Sequence, residues 1–215
     1  MDLTVFSKPA PHRVVRGVLG EALSARLLAH VLEREEAFIA SKVGWEHGAT
    51  DPSVRRSRIL LDCSVLAGDV AERFRAQMEP AVSALRLSPF TLQRLEMEFS
   101  AFGDGDFFER HTDTGPLGPA RWRTLTGVYY FHARPKGYSG GDLRMFGLTP
   151  GERGGVSVDI TPEHDSMVLF ASWMPHEVLP VSCPSGRFAD SRFAVNVWFH
   201  RAAADTRPPE KGAVS

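Results

Sequence analysis

The sequence has few cysteines, almost no net charge and no long hydrophobic run. Its two cysteines, Cys63 and Cys183, are too few for a disulfide framework or a thiolate zinc site, and they suit a reducing compartment. The net charge of −1 gives no support to nucleic acid or a membrane surface as a partner. No apolar stretch has the length of a membrane-spanning helix, and the first residues lack the pattern of a signal peptide. We therefore expect a cytoplasmic protein that binds neither nucleic acid nor membrane.

The chain does have enough apolar sequence for a core, at 43% hydrophobic residues in a length of 215, which suits a single domain. Apolar residues recur at every fourth position in 21–39 and again in 68–85, and this spacing predicts two amphipathic helices. The polar segment 41–58 contains glycine and proline and predicts a mobile loop, followed by a short strand at 59–61. We expect residues 1–90 to form a helical support that packs on a β core.

After Pro89 the apolar pattern changes to period two, which is typical of half-buried strands. Such regular, short strands favour a sandwich or barrel, and about eight of them suit a jelly-roll, cupin-like core over 91–201. The tail 202–215 is expected to be disordered. The predicted strands are 95–102, 107–112, 123–132, 141–146, 155–160, 165–171, 177–181 and 191–200.

His111, Asp113 and His176 form a candidate metal site. His111 and Asp113 are two apart on a predicted strand, so their side chains should point to the same face. Two imidazoles and one carboxylate on one face of a metal, with the remaining positions open, is the arrangement of non-heme Fe(II) oxygenases. The alternative is a strand-end histidine followed by an aspartate that caps a turn, because short His-x-Asp matches also arise by chance. His176 has a similar alternative as a locally hydrogen-bonded histidine after Pro175.

Arg192 is a candidate ligand for a carboxylate, because it opens an otherwise apolar strand and a buried charge needs a partner. Ala194, Asn196 and Trp198 share its face, which is the more polar face of the strand. The alternative for Arg192 is an exposed strand end. The hydroxyl of Tyr130 is a candidate second donor, although core packing is the more common role of an isolated tyrosine.

Several segments, in the same order along the chain, resemble the prolyl-4-hydroxylase-like branch of the Fe(II)/2-oxoglutarate-dependent dioxygenases. They include His-Thr-Asp at 111–113, Ser-Gly-Gly-Asp-Leu at 139–143 and His-Glu-Val-Leu-Pro at 176–180. The resemblance extends over residues 95–200 and implies a double-stranded β-helix fold. It implies that the catalytic iron is held by His111, Asp113 and His176, and that 2-oxoglutarate is bound by Arg192, Tyr130, Thr126 and Trp198.

The resemblance also implies the chemistry. An oxidoreductase of this kind uses Fe(II), O2 and 2-oxoglutarate, releases succinate and CO2, and takes ascorbate as a reductant. The implied reaction is hydroxylation of a prolyl residue in a peptide or protein partner, and the alternative is hydroxylation of a free amino acid or small metabolite. A carboxylate at Asp113 disfavours halogenation, because related halogenases have a small residue there. A non-catalytic jelly-roll module that binds a metal or a carboxylate, and a cupin-like enzyme without a co-substrate, also remain as alternatives.

Two departures from the family pattern concern the pocket. The interval from His176 to Arg192 is longer than usual, so Arg187 is a rival for the co-substrate role. Arg192 is favoured because a strand follows it directly, whereas Arg187 lies beside the turn-forming Pro184 and Gly186. Phe102 stands where many relatives have a tyrosine that lines the iron pocket.

The predicted loop 41–58 is a candidate lid over the active site. Arg55, Arg56 and Arg58, near its end, would favour an acidic or carboxylate-bearing substrate, and a solvated basic loop is the alternative. Arg144 is a further candidate for substrate contact. The sequence gives no basis for an oligomeric state.

Overall fold

The structure is a computed structural model that describes residues 10–43, 49–147 and 156–203. It contains three α-helices, namely α1 (Glu21–Leu32), α2 (Asp69–Arg75) and α3 (Met78–Ala84). The strands are β1 (His12–Arg16), β2 (Ile39–Ala40), β3 (Arg55–Arg56), β4 (Arg58–Leu60), β5 (Leu92–Phe102), β6 (Phe107–His111), β7 (Arg123–Phe131), β8 (Ser139–Gly140), β9 (Leu143–Phe146), β10 (Ser157–Ile160), β11 (Ser166–Ala171), β12 (His176–Val178), β13 (Val181–Ser182) and β14 (Arg192–Arg201).

The strands form two main antiparallel sheets. The larger sheet has the order β1-β11-β7-β14-β5-β4-β2, and the smaller has the order β10-β9-β12-β6-β3. From β5 onward the chain passes back and forth between these sheets, with β5, β7, β11 and β14 in the larger and β6, β9, β10 and β12 in the smaller. Each of the eight predicted strand segments overlaps one of these strands, and the prediction of a mainly β protein with N-terminal helices is confirmed.

Six further short strands accompany these eight: β1 to β4 extend the sheets, and β8 and β13 pair with each other. Of the six, β4 overlaps the short strand predicted at 59–61, and β13 begins at the last residue of the predicted segment 177–181. Each is between two and five residues long, too short for a clear periodic pattern. The larger number of strands therefore reflects pairing with neighbours, which the local sequence does not reveal.

The larger sheet separates two apolar cores. On one side, Leu27 of α1 and Phe74 of α2 pack with Phe99 and Tyr129, and the rings of Phe74 and Tyr129 have centroids 5.3 Å apart. The other core lies between the two sheets and includes Tyr130, the next residue of β7. Neighbouring residues of one strand thus enter different cores, as the pleat requires. The candidate site lies on the side of Tyr130.

Both predicted helices are shorter than expected. The first ends at Leu32 and is followed by a 3-10 turn at Glu35–Ala37 and by β2. The second is interrupted between Arg75 and Met78. Pro80 lies in the first turn of α3, where its missing N–H does no harm, whereas in one continuous helix it would remove a hydrogen bond and clash with the preceding turn.

The predicted loop 41–58 is partly strand, which corrects the expectation of a segment without regular structure. Arg55–Arg56 pairs with Phe107 and Phe108 of β6, and β4 pairs with β5. The predicted strand 59–61 begins one residue earlier, at Arg58. Residues 44–48 of this loop, residue 155 of a predicted strand and residues 204–215 of the predicted tail lie outside the described residues. None of the helices in the described ranges is long and apolar enough to cross a membrane.

Candidate active site

His111 and His176 lie side by side at the ends of two neighbouring strands. His111 is the last residue of β6 and His176 is the first of β12, and the two are direct partners in the antiparallel pairing. Their ring centroids are 4.2 Å apart. Side chains of directly paired residues point to the same face of a sheet, so both imidazoles enter the space between the sheets.

Asp113 completes the group from just beyond β6. Its carboxylate oxygens lie 3.7 Å from Nε2 of His111 and 3.6 Å from Nε2 of His176. One ligand atom from each of the three residues lies within 4.8 Å of the others. The prediction that Asp113 continues the strand is wrong, since β6 ends at His111. The position of Asp113 is instead fixed by its backbone N–H, which donates to the carbonyl of Ser172 at 2.9 Å.

The hydrogen bonds of both histidines determine which nitrogen is free. Nδ1 of His111 donates to the carbonyl of Glu109 at 2.8 Å, and Nδ1 of His176 donates to the carbonyl of Met174 at 2.9 Å. A carbonyl can only accept, so the proton of each neutral ring is on Nδ1 and the Nε2 lone pair faces Asp113. Metal-binding histidines are commonly oriented in this way.

The electrostatics of the group also suit a cation. Burial, and then the neighbouring His176, lower the pKa of His111 to about 3, so its ring is neutral at physiological pH. Burial alone would raise the pKa of Asp113, but the nearby histidines and Arg123 lower it further than burial raises it. A neutral imidazole and an ionised carboxylate are the protonation states that bind a metal.

Arg192 is buried, with 1% of its surface exposed, at the start of β14. Its Nε donates to the carbonyl of Gly141 at 2.7 Å, and its guanidinium carbon lies 5.0 Å from the ring centre of Phe102 and 4.9 Å from that of Tyr130. Within the described residues, neither Nη2 of Arg192 nor the hydroxyl of Tyr130 has a hydrogen-bond partner. Buried polar groups are normally paired, so two unpartnered donors together indicate a site for an anionic group.

Thr126 and Trp198 are directly paired residues of β7 and β14. The hydroxyl of Thr126 donates to Oγ of Ser172 at 2.9 Å. The indole of Trp198 lies under Arg123, whose guanidinium carbon is 3.8 Å from the ring centre, and its Nε1 has no partner in the part of the chain that is described. Thr126 is thus already hydrogen-bonded, whereas Trp198 has an unused donor.

A cavity of about 780 Å³, a volume within the usual range for small-molecule sites, connects the metal group with Arg192 and Trp198, whereas Thr126 and Tyr130 are not among its lining residues. Sequence reasoning placed Asn196 on the pocket-lining face of Arg192 but missed several other lining residues, among them Glu98 and Leu143. Glu98 lies on the same face of β5 as Phe102, and burial raises the pKa of its carboxyl. The period-two pattern of β5 could have revealed Glu98, because it is in phase with Phe102. The cavity is lined, among others, by His111, Asp113, His176, Arg192, Trp198, Phe102, Arg55 and Arg123.

Only one of the three loop arginines lines the cavity. The guanidinium carbon of Arg55 lies 4.6 Å from the ring centre of Phe108, and its Nη2 is 3.8 Å from Oε1 of Glu98. Arg56 stacks on the ring of Phe107 and Arg58 on that of Phe188, away from the cavity.

Arg144 and Arg187 also lie outside the cavity. Arg144 forms two hydrogen bonds with the carboxylate of Asp159, at 2.7 and 2.8 Å. The side chain of Arg187 is 72% exposed and pairs with Asp190 at 2.8 Å. The structure therefore does not bring either arginine to the metal group.

Two histidines, one carboxylate and an adjacent buried arginine define the class of a non-heme iron oxygenase site that accepts a carboxylate co-substrate. The family model of the 2OG-Fe(II) oxygenase superfamily matches residues 97–200. The chain is similar to this superfamily and to a PKHD-type hydroxylase, which confirms the resemblance to prolyl-hydroxylase-like 2-oxoglutarate oxygenases seen in the sequence. The donor set fits Fe(II), and the unpartnered atoms of Arg192 and Tyr130 fit the carboxylate of 2-oxoglutarate, the co-substrate of the family.

Similar proteins include an uncharacterized PKHD-type hydroxylase of Synechocystis sp., which is 29% identical over 200 residues. That alignment covers 90% of this chain and 64% of the relative, so the chain spans less than two thirds of the relative's length. A prolyl-4-hydroxylase of Pseudomonas putida has a TM-score of 0.63 at 24% identity, with 94% of this chain and 96% of that one covered. A Trichoplax adhaerens prolyl hydroxylase, solved with a hypoxia inducible factor peptide fragment, has a TM-score of 0.64 at 20% identity, covering 93% and 86% of the two chains. These two structures share the fold.

Proposed function

We propose that this protein is an Fe(II)/2-oxoglutarate-dependent dioxygenase that hydroxylates an unactivated C–H bond of a prolyl residue in a peptide or protein. The observation that carries this proposal is the convergence of three metal-binding side chains and one buried, incompletely paired arginine on a single cavity. An oxygenase of this class needs the metal-binding side chains and the arginine in one cavity, because the co-substrate must be bound beside the metal.

The proposed architecture is a double-stranded β-helix, or jelly roll. The four-strand order β11-β7-β14-β5 in one sheet and β10-β9-β12-β6 in the other supports it, as does the alternation of the chain between them. We retain residues 91–201 as the catalytic core and residues 1–90 as its support, with residues 41–58 as the candidate lid.

In this proposal His111, Asp113 and His176 hold the iron, and Arg192 and Tyr130 bind the distal carboxylate of 2-oxoglutarate. The burial of Arg192 and its unpartnered Nη2 support this role for Arg192. The exposure of Arg187 and its ion pair with Asp190 argue against that residue as the rival. Trp198 and Thr126 line the same inner face of the large sheet.

Bound Fe(II) with 2-oxoglutarate supplies the oxidation, in which O2 is consumed, succinate and CO2 are released, and one oxygen atom enters the substrate C–H bond. The chain's own contribution is binding and orientation. Backbone carbonyls fix both imidazoles, Arg192 orients the dicarboxylate, and Phe102 and Leu143 add apolar cavity wall. Asp113 occupies a ligand position, which favours hydroxylation over halogenation.

The prolyl substrate is supported by the prolyl hydroxylases with this fold. A free amino acid or small metabolite is the second candidate. One observation favours it: Arg55 and Glu98 present opposite charges to the cavity, as a zwitterion would require. The cytoplasmic location also remains a proposal, supported by the free thiols of Cys63 and Cys183.

The decisive experiment is an anaerobic titration of Fe(II)-loaded protein with 2-oxoglutarate, followed through the visible metal-to-ligand charge-transfer band. We expect the band in wild type and in Arg187→Ala, its loss in His176→Ala, and a much weaker response in Arg192→Ala. Wild type that binds iron but gives no band would contradict the proposal. A band without succinate formation across a screen of peptides and amino acids would favour a non-catalytic binding module.

A further inference from the structure

Tyr138 is one of three tyrosines in the chain. Its hydroxyl is buried and takes no part in the site described above. The residue precedes β8 directly and is 6% exposed, and its hydroxyl oxygen has no hydrogen-bond partner among the described residues. Burying a hydroxyl without a hydrogen bond costs free energy, and phenylalanine would fill the same space without that cost. The hydroxyl therefore calls for a physical explanation.

The ring of Tyr138 is held from two sides. His132 contacts it edge-on, with ring centroids 5.8 Å apart, and Nζ of Lys136 lies 4.3 Å from the ring centre. Tyr138 belongs to the apolar cluster between the sheets that also contains Tyr130 and Phe102, the two aromatic neighbours of Arg192. The hydroxyl thus lies in the layer that contains the co-substrate pocket.

The hydroxyls of Tyr130 and Tyr138 and Nη2 of Arg192 are buried on this side of the larger sheet and lack partners within the described part of the chain, as do Oγ of Ser100 and Nε1 of Trp198. Burial raises the pKa of Tyr138, and the charge of Arg192 opposes that rise. Because the net shift is upward, the phenol keeps its proton at neutral pH. The two phenols and Nη2 of Arg192 can therefore all donate, and none of the three has an acceptor among the described residues.

The backbone links Tyr138 to Arg192 as well. Gly141, three residues further along, accepts the hydrogen bond from Nε of Arg192. A Cβ atom at Gly141 would lie 2.6 Å from Cδ of Arg192, so this turn is in direct contact with the arginine. One short segment, 138–141, therefore carries the phenol and also fixes the guanidinium.

We propose that Tyr138 is a third donor to the distal carboxylate of 2-oxoglutarate, beside Arg192 and Tyr130. This inference rests on the proposed function and adds a binding residue that the sequence motifs did not indicate. A carboxylate has about four lone-pair sites, enough to accept from one guanidinium and two phenols. Three donors converging on one carboxylate select for a dicarboxylic 2-oxo acid over a monocarboxylic one.

The test measures binding rather than turnover. Dissociation constants are determined by calorimetry on Mn(II)-loaded protein for 2-oxoglutarate and for 2-oxovalerate, which lacks the distal carboxylate. Tyr138→Phe should weaken 2-oxoglutarate binding roughly ten- to a hundredfold, as expected for a lost hydrogen bond to a charged group. It should leave the affinity for 2-oxovalerate unchanged.

Tyr129→Phe is the matched control, because Tyr129 faces the other core and its hydroxyl donates to Asp165 at 2.9 Å. It should alter neither dissociation constant. Without ligand, the unfolding midpoint of Tyr138→Phe should equal or exceed that of wild type, whereas a purely structural role would lower it.

Unchanged 2-oxoglutarate affinity in Tyr138→Phe, or an equal loss for both ligands, would overturn this inference and leave the proposed function standing. Failure of Mn(II)-loaded wild type to bind 2-oxoglutarate would overturn both.

Discussion

The carbonyl oxygen of Gly141 accepts a hydrogen bond of 2.7 Å from Nε of Arg192, and a Cβ atom added at Gly141 would lie 2.6 Å from Cδ and 3.1 Å from Nε of that side chain. Arg192 thereby has one donor fixed by the backbone, while Nη2 remains unpartnered within the described residues. A side chain oriented in this way loses little conformational freedom when it binds a carboxylate.

Gly141→Ala should disrupt this relationship. The added Cβ would meet Cδ of Arg192 at 2.6 Å and Cγ2 of Val181 at 2.8 Å, on a backbone with φ of +67°. We expect 2-oxoglutarate affinity to fall by more than tenfold and stability to fall by more than the roughly 1–2 kcal/mol of a left-handed alanine. Calorimetry and urea unfolding measure the two effects.

Gly17→Ala separates strain from contact. Gly17 has a similar φ of +68°, but a Cβ there would meet nothing within 4 Å. Gly17→Ala should lower the free energy of unfolding only by the roughly 1–2 kcal/mol of a left-handed alanine, and it should keep wild-type affinity for 2-oxoglutarate. Equal losses of affinity in both variants would refute the role given to the Gly141–Arg192 contact.

Metal binding should stabilise the fold through Asp113. A ligand that binds only the native state adds about 2.7 kcal/mol at a hundredfold excess over its dissociation constant. Mn(II) should therefore raise the unfolding midpoint of wild type, and this rise should vanish in Asp113→Ala. Asp159→Ala, which removes a carboxylate paired with Arg144 outside the cavity, should retain the full rise. Retention of the shift in Asp113→Ala would remove that residue from the metal site.

Glu96 should make stability depend on pH in a defined window. Burial raises the pKa of its carboxyl, but Arg123, Arg94 and His200 together lower it to about 2, below the ordinary value of 4.5. Because the pKa of Glu96 is lower in the folded state than in the unfolded state, its ionised carboxylate stabilises the fold at pH values above 4.5. This stabilisation is lost as the pH falls from 4.5 towards 2. Urea unfolding of wild type and Glu96→Gln should differ by about 3 kcal/mol at pH 7, from the size of the shift. The difference should shrink through this window, and a constant difference would contradict the assignment.

Arg55 and Arg56 form a natural pair for testing the substrate side of the cavity. Arg55 lines the cavity, whereas Arg56 stacks on the ring of Phe107 and does not line the cavity. For a substrate found by peptide screening, Arg55→Met should raise KM by about tenfold or more, since a charged hydrogen bond is lost. Arg56→Met should behave as wild type, and neither variant should change the affinity for 2-oxoglutarate. Equal KM values for Arg55→Met and wild type would exclude Arg55 from substrate contact.

The elements that the sequence predicted well are those with a strong local signal. The eight core strands lie in short strand-like runs between Gly-, Pro- and Asp-rich connectors, and the residues of the metal group stand in short motifs whose order along the chain matches the family. Pro80 also carried a local signal, since a proline within a predicted helix indicates a break, but the prediction of one helix over 68–85 did not use it.

Other features depend on pairing across the fold. Arg55–Arg56 is a strand only because β6 lies beside it, and Asp113 is positioned by the carbonyl of Ser172 rather than by strand geometry. Glu98 was missed as a cavity residue because acidic residues in a half-buried strand ordinarily face solvent. In this protein the facing layer is the smaller sheet, and its presence makes that face an interior one.

The segment Arg55–Leu60 changes sheets within six residues, since Arg55 and Arg56 pair with β6 and Arg58 to Leu60 pair with β5. Only Ser57 lies between the two pairings, and its Oγ is fixed by contacts of 2.7 Å to Oγ of Ser41 and 2.8 Å to Nε of Arg55. The two layers are therefore tethered covalently at this edge, beside the charged pair of Arg55 and Glu98. Because the crossing is one residue long, we expect it to fix the separation of the two layers at this edge and so the width of the cavity there. Lengthening it by a residue or two is accordingly a way to change the size range of substrates without changing the chemistry of the site.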